Sequence, residues 1–169
     1  NKLLKNDKID LKKKVLIIKE QGVGDEILYS TIYPSALKYF SSVKIETETR
    51  LLNLFKKSYG FSNSFIPFQS ISNHKDKLKE YDHVIMAGTL GKLFRNSIKE
   101  FPFINSLKSE DEDIISIKNE LDKISSKKKI GITWKSKREY FGEGKSLSLD
   151  LLEPFFSINN IDFINLQYG

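Results

Sequence analysis

The sequence predicts an α/β fold: a parallel β-sheet wrapped by helices on both faces, followed by the opening βαβ unit of a second such sheet. Three observations predict it. Apolar runs of strand length alternate with stretches of helical periodicity between Lys14 and Ala87. The first run, Val15–Ile18, is continuously apolar, as in a strand buried on both faces. It passes through Lys19-Glu-Gln-Gly-Val-Gly-Asp25 straight into an amphipathic pattern, the strand–turn–helix order that a parallel unit requires.

Each element has its own signal. Asp25 to Phe40 reads as one helix, with Leu28, Ile32, Ala36 and Phe40 at i, i+4 spacing and Tyr33 and Leu37 beside them. Pro34 should bend it, because proline removes one backbone donor. Val43–Thr47 is a second strand. Arg50–Tyr59 is a second helix, with Leu51, Leu52, Leu54 and Phe55 inward and Gly60 as its C-terminal cap. Ser64–Pro67 is a short third strand. Residues 69–80 are polar and read as a loop with a short helix, before a fourth strand, Asp82–Ala87, that ends at Gly88. Asp111–Ile124 is a charged helix, and Lys129–Trp134 starts a new strand. Asp150–Ser157 reads as a short helix interrupted by Pro154, and Ile161–Leu166 as a last strand. The expected division is a Rossmann-like domain over residues 1–126 and the start of a second over 127–169, in a piece of a longer protein.

Composition excludes several classes. No apolar run approaches the ~20 residues of a membrane span, and no signal peptide is recognisable at Asn1-Lys-Leu-Leu-Lys5. The sequence has no cysteine, which excludes disulfides and thiolate metal sites. The net charge of +6 comes from scattered lysine, with arginine only at Arg50, Arg95 and Arg138. A nucleic-acid binder would carry a basic stripe with interleaved aromatics or Arg, so no nucleic-acid partner is expected. Asp111-Glu-Asp113 has a metal-binding spacing, but it opens a helix, where carboxylates are favoured anyway. His74 and His83 have no neighbours at ligand spacing, and no metal site is expected.

Two segments carry the candidate chemistry. Gly22 and Gly24 permit positive φ and close approach of a ligand to the backbone at a helix N-terminus, which suits an anionic or polyhydroxylated ligand. The dinucleotide fingerprint requires a third glycine where Ile27 stands, and the Gly-Lys-Ser/Thr of a P-loop is absent. Asp25 has two readings: a carboxylate complementing the helix dipole, or a general base for an acceptor hydroxyl. The second segment, Trp134-Lys-Ser-Lys-Arg-Glu-Tyr-Phe-Gly-Glu-Gly-Lys-Ser146, gathers cations and hydroxyls beyond a strand's C-terminal end, where open α/β sheets bind ligands. Lys135 and Lys145 would neutralise a diphosphate, and Ser136 and Ser146 would donate hydrogen bonds to it. The alternative is an ordinary surface loop. Trp134 reads as core, with contact to the ligand as the alternative.

Four segments recur together in one family: Glu20-Gln-Gly-Val-Gly-Asp25, then Leu93-Phe-Arg95 with Phe101-Pro102, then Gly131-Ile-Thr-Trp-Lys-Ser136 with Lys145-Ser146, and Phe163-Ile-Asn-Leu-Gln167. In this order they resemble the heptosyltransferase-like glycosyltransferases, especially the bacterial branch found behind tetratricopeptide repeats. The resemblance runs from about Lys14 to the end. It implies a GT-B architecture, in which an N-terminal Rossmann-like domain takes the acceptor and a C-terminal one takes a nucleotide-sugar donor. It implies metal-independent transfer with no cofactor beyond that donor. Asp25 matches the family's proposed catalytic base. Gln21, Gly22, Val23, Gly24 and Arg95 become the substrate-binding set. Thr133, Lys135, Ser136, Lys145 and Ser146 become the donor phosphate set.

The implied partners are a nucleotide sugar and a glycan, lipid-linked or protein acceptor. A tetratricopeptide domain in the same chain is also expected, as is a cytoplasmic location reaching to the inner face of the membrane. Two rivals stay open: a non-catalytic Rossmann-like module that binds a sugar or protein, and a nicotinamide enzyme, which the missing third glycine disfavours.

Overall fold

The structure is a computed structural model. It describes residues 13–101, 107–109, 111–136 and 142–167. Pro102 of the middle motif, and Arg138 with the Glu139-Tyr-Phe141 stretch of the lysine-rich loop, lie outside the described residues. The chain divides into two units, Asn1–Ser109 and Glu110–Gly169.

The first unit is built on four parallel strands: β1 Lys14–Ile18, β2 Ser42–Thr47, β3 Phe65–Pro67 and β4 His83–Met86. Their order is β3-β2-β1-β4, with Val15 opposite both Val43 and His83. The chain winds outward from β1 through β2 to β3, then crosses back to place β4 on the other side of β1. The winding direction therefore reverses at β1, and the crevice beyond the carboxyl ends of β1 and β4 is the topological switch point of the sheet.

Helices α1 (Val23–Ser30), α2 (Tyr33–Tyr39) and α3 (Leu52–Tyr59) connect the first three strands. One core joins Val15, Ile17, Val43, Ile45, Phe65 and Ile85 of the sheet to Tyr33, Ala36, Leu37 and Phe55 of the helices. At its centre the rings of Tyr33, Phe55 and Phe65 lie 5.8–6.1 Å apart, in edge-on and tilted contacts. Such pairs add about 0.5–1.5 kcal/mol beyond the area they bury. On the other side of the sheet Leu16 is fully buried, and the buried Glu46 carboxylate accepts the N–H groups of Ile71 (2.7 Å) and Ser72 (2.9 Å). That pair of bonds pins the polar segment that contains α4 (Lys75–Leu78). Gly60 caps α3 at φ +72°, as expected.

The bent helix Asp25–Phe40 is two helices. A proline ring clashes with the carbonyl four residues earlier, and for Pro34 that residue is Ser30, the last of α1. The hydroxyls of Ser30 and Thr31 donate to the carbonyls of Ile27 (2.7 Å) and Leu28 (2.8 Å), closing the end of α1. The break also resets the inward face. Leu28 is 64% exposed, and α1 buries Glu26 and Ser30 instead.

After α5 (Leu90–Phe94) the first unit ends, and the second begins with α6 (Asp111–Ile124). The restart of the strand–helix series leads the sequence reading to a division after Ser126; contacts group α6 with the strands that follow it, β5 Lys128–Ile132 and β6 Ile161–Asn165. Ser125, just past α6, hydrogen-bonds Asp162 on β6, which ties the helix end to that sheet. The two strands are parallel, with Ile130 opposite Phe163, and form a sheet separate from the first. Pro154 sits in the first turn of α7 (Glu153–Phe156), after a 3₁₀ turn at Leu149–Leu152, so it starts a helix and does not interrupt one.

Candidate functional site

The glycine turn lies at the switch point. β1 ends at Ile18, and Lys19 to Gly22 carry the chain into α1. Neither Gly22 nor Gly24 uses a positive φ. The left-handed residue is Gln21, at φ +63°, a conformation costing a non-glycine residue roughly 1–2 kcal/mol. Gly22 is extended, at φ −88° and ψ 175°, and its carbonyl accepts the first helical bond, from Glu26 N–H at 3.0 Å. Helix geometry leaves the N–H groups of Val23, Gly24 and Asp25 without partners inside α1.

Asp25 Oδ2 accepts the Gly22 N–H at 3.1 Å, and the side chain is partly exposed. The carboxylate therefore has a structural task, whatever else it does. Gly24 has no such task, since a Cβ built there would meet nothing within 4 Å. Alanine is favoured over glycine within a helix by about 0.5–1 kcal/mol. Gly24→Ala should therefore raise the melting temperature while lowering the full-length protein's activity. A variant both more stable and fully active would remove Gly24 from the ligand's path.

Beneath the turn lies a buried ion network that sequence reasoning missed. Lys19 is 9% exposed and Glu26 fully buried. Lys19 Nζ lies 3.8 Å from Glu26 and 3.3 Å from Glu48, and 4.9 Å above the Phe68 ring. Both Glu26 oxygens accept the Glu48 N–H, at 3.0 and 3.3 Å. Burial pushes the Glu26 carboxyl above its ordinary value, opposed by the Glu48 amide and by Lys19. Glu48 is held below its ordinary value, chiefly by its hydrogen bond from Lys19. The network joins the end of β1, the first turn of α1 and the end of β2, and so holds the turn in place. A lysine after a strand and a glutamate in a helix's first turn are too ordinary to flag it in sequence.

Arg95 stands apart from the other substrate-binding candidates. Its guanidinium donates to Thr31 O (3.1 Å), Phe94 O (2.7 Å) and Ser35 Oγ (3.3 Å), and lies over the Phe101 ring. Thr31 caps the far end of α1, six positions or about 9 Å along the helix axis from Asp25. Arg95 thus ties the α1–α2 junction to the end of α5, while Gln21, Gly22, Val23, Gly24 and Asp25 stay together at the other end.

In the second unit, the stretch after β5 folds back on residues 142–147. The N–H of Ser136 donates to Ser146 Oγ (3.0 Å), and Leu147 N–H to Trp134 O (2.8 Å). Gln167, past β6, accepts the N–H groups of Trp134 (3.2 Å) and Lys135 (2.9 Å) through one oxygen. Ser136 and Ser146 are therefore in direct contact, with Thr133, Lys135 and Lys145 exposed near them in sequence and Trp134 half-buried. Gln167 orients the Lys135 backbone, a role the closing motif hinted at only through its position after a strand. A cavity of about 260 Å³ in this unit is lined by apolar side chains, among them Ile130, Phe155 and Phe163, and carries no chemistry.

Among the described residues no cluster of three His, Cys, Asp or Glu residues could hold a metal ion. Among them, too, no helix is long and apolar enough to cross a membrane.

No family model matches the sequence, and no solved structure matches the chain. Among curated proteins the chain is similar to Protein FlbA of Caulobacter vibrioides, 23% identical over 177 aligned residues. That stretch takes in 93% of this chain and 28% of FlbA, so the chain spans little more than a quarter of the relative's length.

Proposed function

We propose that the chain is the acceptor side, and the opening of the donor side, of a glycosyltransferase that moves a sugar from a nucleotide-sugar donor to an acceptor hydroxyl without a metal. One observation carries the reading: a glycine turn with a carboxylate in the first helical turn occupies the switch point of a parallel sheet, and a second parallel βαβ sheet follows in the same chain. In this reading Asp25 takes the proton of the acceptor hydroxyl as its oxygen attacks the anomeric carbon. The bond from that carbon to the diphosphate oxygen breaks, and the electron pair leaves with the nucleoside diphosphate. Lys145, helped by Lys135, Thr133, Ser136 and Ser146, stabilises the departing charge. The reading carries with it a cytoplasmic location, a glycan, lipid-linked or protein acceptor, and a tetratricopeptide domain elsewhere in the protein.

Thermal shift of the full-length protein with UDP, ADP, GDP and NAD tests it. A ligand at one hundred times its Kd stabilises by about 2.7 kcal/mol. One nucleoside diphosphate should raise the melting temperature and NAD should not. A shift with NAD alone, or with none of the four, would overturn the reading. A second reading, a non-catalytic sugar-binding module, is favoured by the hydrogen bond that commits Asp25 Oδ2 to the turn.

A further inference from the structure

Glu46 carries a buried charge that its neighbours only half answer. It stands just before the end of β2, opposite Ile66 of β3, and is fully buried. Its Oε1 accepts the N–H groups of Ile71 (2.7 Å) and Ser72 (2.9 Å). Its Oε2 is sealed from solvent and has no hydrogen-bond partner among the described residues. No lysine or arginine among them forms an ion pair with it. The hydroxyls of Ser70 and Ser72 are sealed and unpartnered in the same way. Ser72 supplies one of the two amides that Oε1 holds, and Ser70 precedes the other. Both hydroxyls therefore belong to the segment pinned against this carboxylate.

Elementary chemistry narrows what joins the three oxygens. A buried polar atom without a partner is costly, and a buried charge without one is costlier. A hydroxyl can donate directly to a carboxylate, but neither serine lies within hydrogen-bonding distance of Oε2. A proton on Oε2 would need an acceptor at that same distance and has none. A particle lying between the oxygens satisfies them together. Water would bridge them and leave the charge; a cation bridges them and balances it. Oxygen ligands select hard ions over zinc or copper. Calcium takes about six to eight oxygens and magnesium keeps several waters, whereas a sealed site with one carboxylate and two hydroxyls offers neither arrangement. One negative charge matches one positive charge.

We propose that Glu46 Oε2 and the hydroxyls of Ser70 and Ser72 hold a monovalent alkali cation, sodium or potassium, which fastens the polar segment 69–80 to the end of β2. The inference stands apart from the acceptor-side reading, since none of these side chains belongs to the turn after β1.

Hydrogen–deuterium exchange of the full-length protein tests it, at one ionic strength in sodium, potassium or choline chloride. Choline is too large for a sealed site. At about ten times its Kd, sodium or potassium should slow exchange across residues 69–80 about tenfold relative to choline, and the effect should saturate. The two alkali arms identify the ion. Glu46→Gln, which keeps the shape and removes the charge, should abolish the difference between salts. Ser70→Ala and Ser72→Ala should each raise the half-saturating concentration about fivefold or more. The serine variants carry the test if Glu46→Gln fails to fold. Equal exchange in all three salts would mean that water alone bridges these oxygens, and overturns the proposal. So does a response that grows with salt without saturating, or one that the folded variants keep in full.

Discussion

Asp25→Asn in the full-length protein should lower kcat for sugar transfer by about 10²–10⁴, the usual contribution of a positioned general base, with donor affinity unchanged. The substitution is close to isosteric, and the asparagine carbonyl can still accept the Gly22 N–H that Asp25 Oδ2 accepts at 3.1 Å. The turn and the first helical bond should therefore survive. What asparagine cannot do is take a proton. The structural and catalytic tasks of this carboxylate separate in that one variant. If Asp25 only caps α1, the variant transfers sugar at nearly the wild-type rate. If the residue is the base, kcat collapses while donor KM and the melting temperature hold. An equal loss of donor affinity would point to a disturbed fold and argue against the base.

Lys19→Met should destabilise the protein by about 3 kcal/mol at neutral pH, the scale on which a broken buried ion pair destabilises. Methionine fills much the same space and still packs on Phe68. The loss therefore isolates the charge, leaving the fully buried Glu26 carboxylate with the Glu48 amide as its support. The pH dependence gives the sign. Burial already raises the folded-state pKa of Glu26 above its unfolded value. The stability linked to its proton is complete below the unfolded value and is lost as pH rises through the folded one. Removing Lys19 moves the folded value further up. Glu48 runs the other way: its lowered pKa contributes stability above the unfolded value, lost as pH falls, and Lys19 is the main cause of that lowering. Without Lys19 that contribution shrinks too. The deficit of the variant should thus be largest near neutral pH and diminish toward pH 4. Urea unfolding at several pH values checks this, and a deficit independent of pH would show that Lys19 acts through packing and not through its charge.

Much of the fold was legible because its signals are local. The continuous apolar run Val15–Ile18 and the αL glycine at position 60 are statements about neighbouring residues, and they came out as read. Pro34 was read correctly as a disturbance, but its strength was not. Whether a proline bends a helix or ends it depends on what can satisfy the carbonyls it orphans. Here the hydroxyls of Ser30 and Thr31 close the helix end. Leu28 was misread for the same reason, because i, i+4 spacing continued across a break no longer marks one face.

The site divides along the same line. The amino-acid order by itself determined that a carboxylate stands in the first turn of a helix after a glycine-bearing turn, and that lysines and serines follow the first strand of a second sheet. It did so because turns and helix starts are encoded within a few residues. Only the tertiary structure decided that Gln21 and not a glycine carries the left-handed backbone, and that Glu26 is buried against Lys19 and the amide of Glu48. The burial of Glu26 is set by strand order, which lays the end of β2 beside the turn after β1, and no local pattern records which distant segment will arrive alongside.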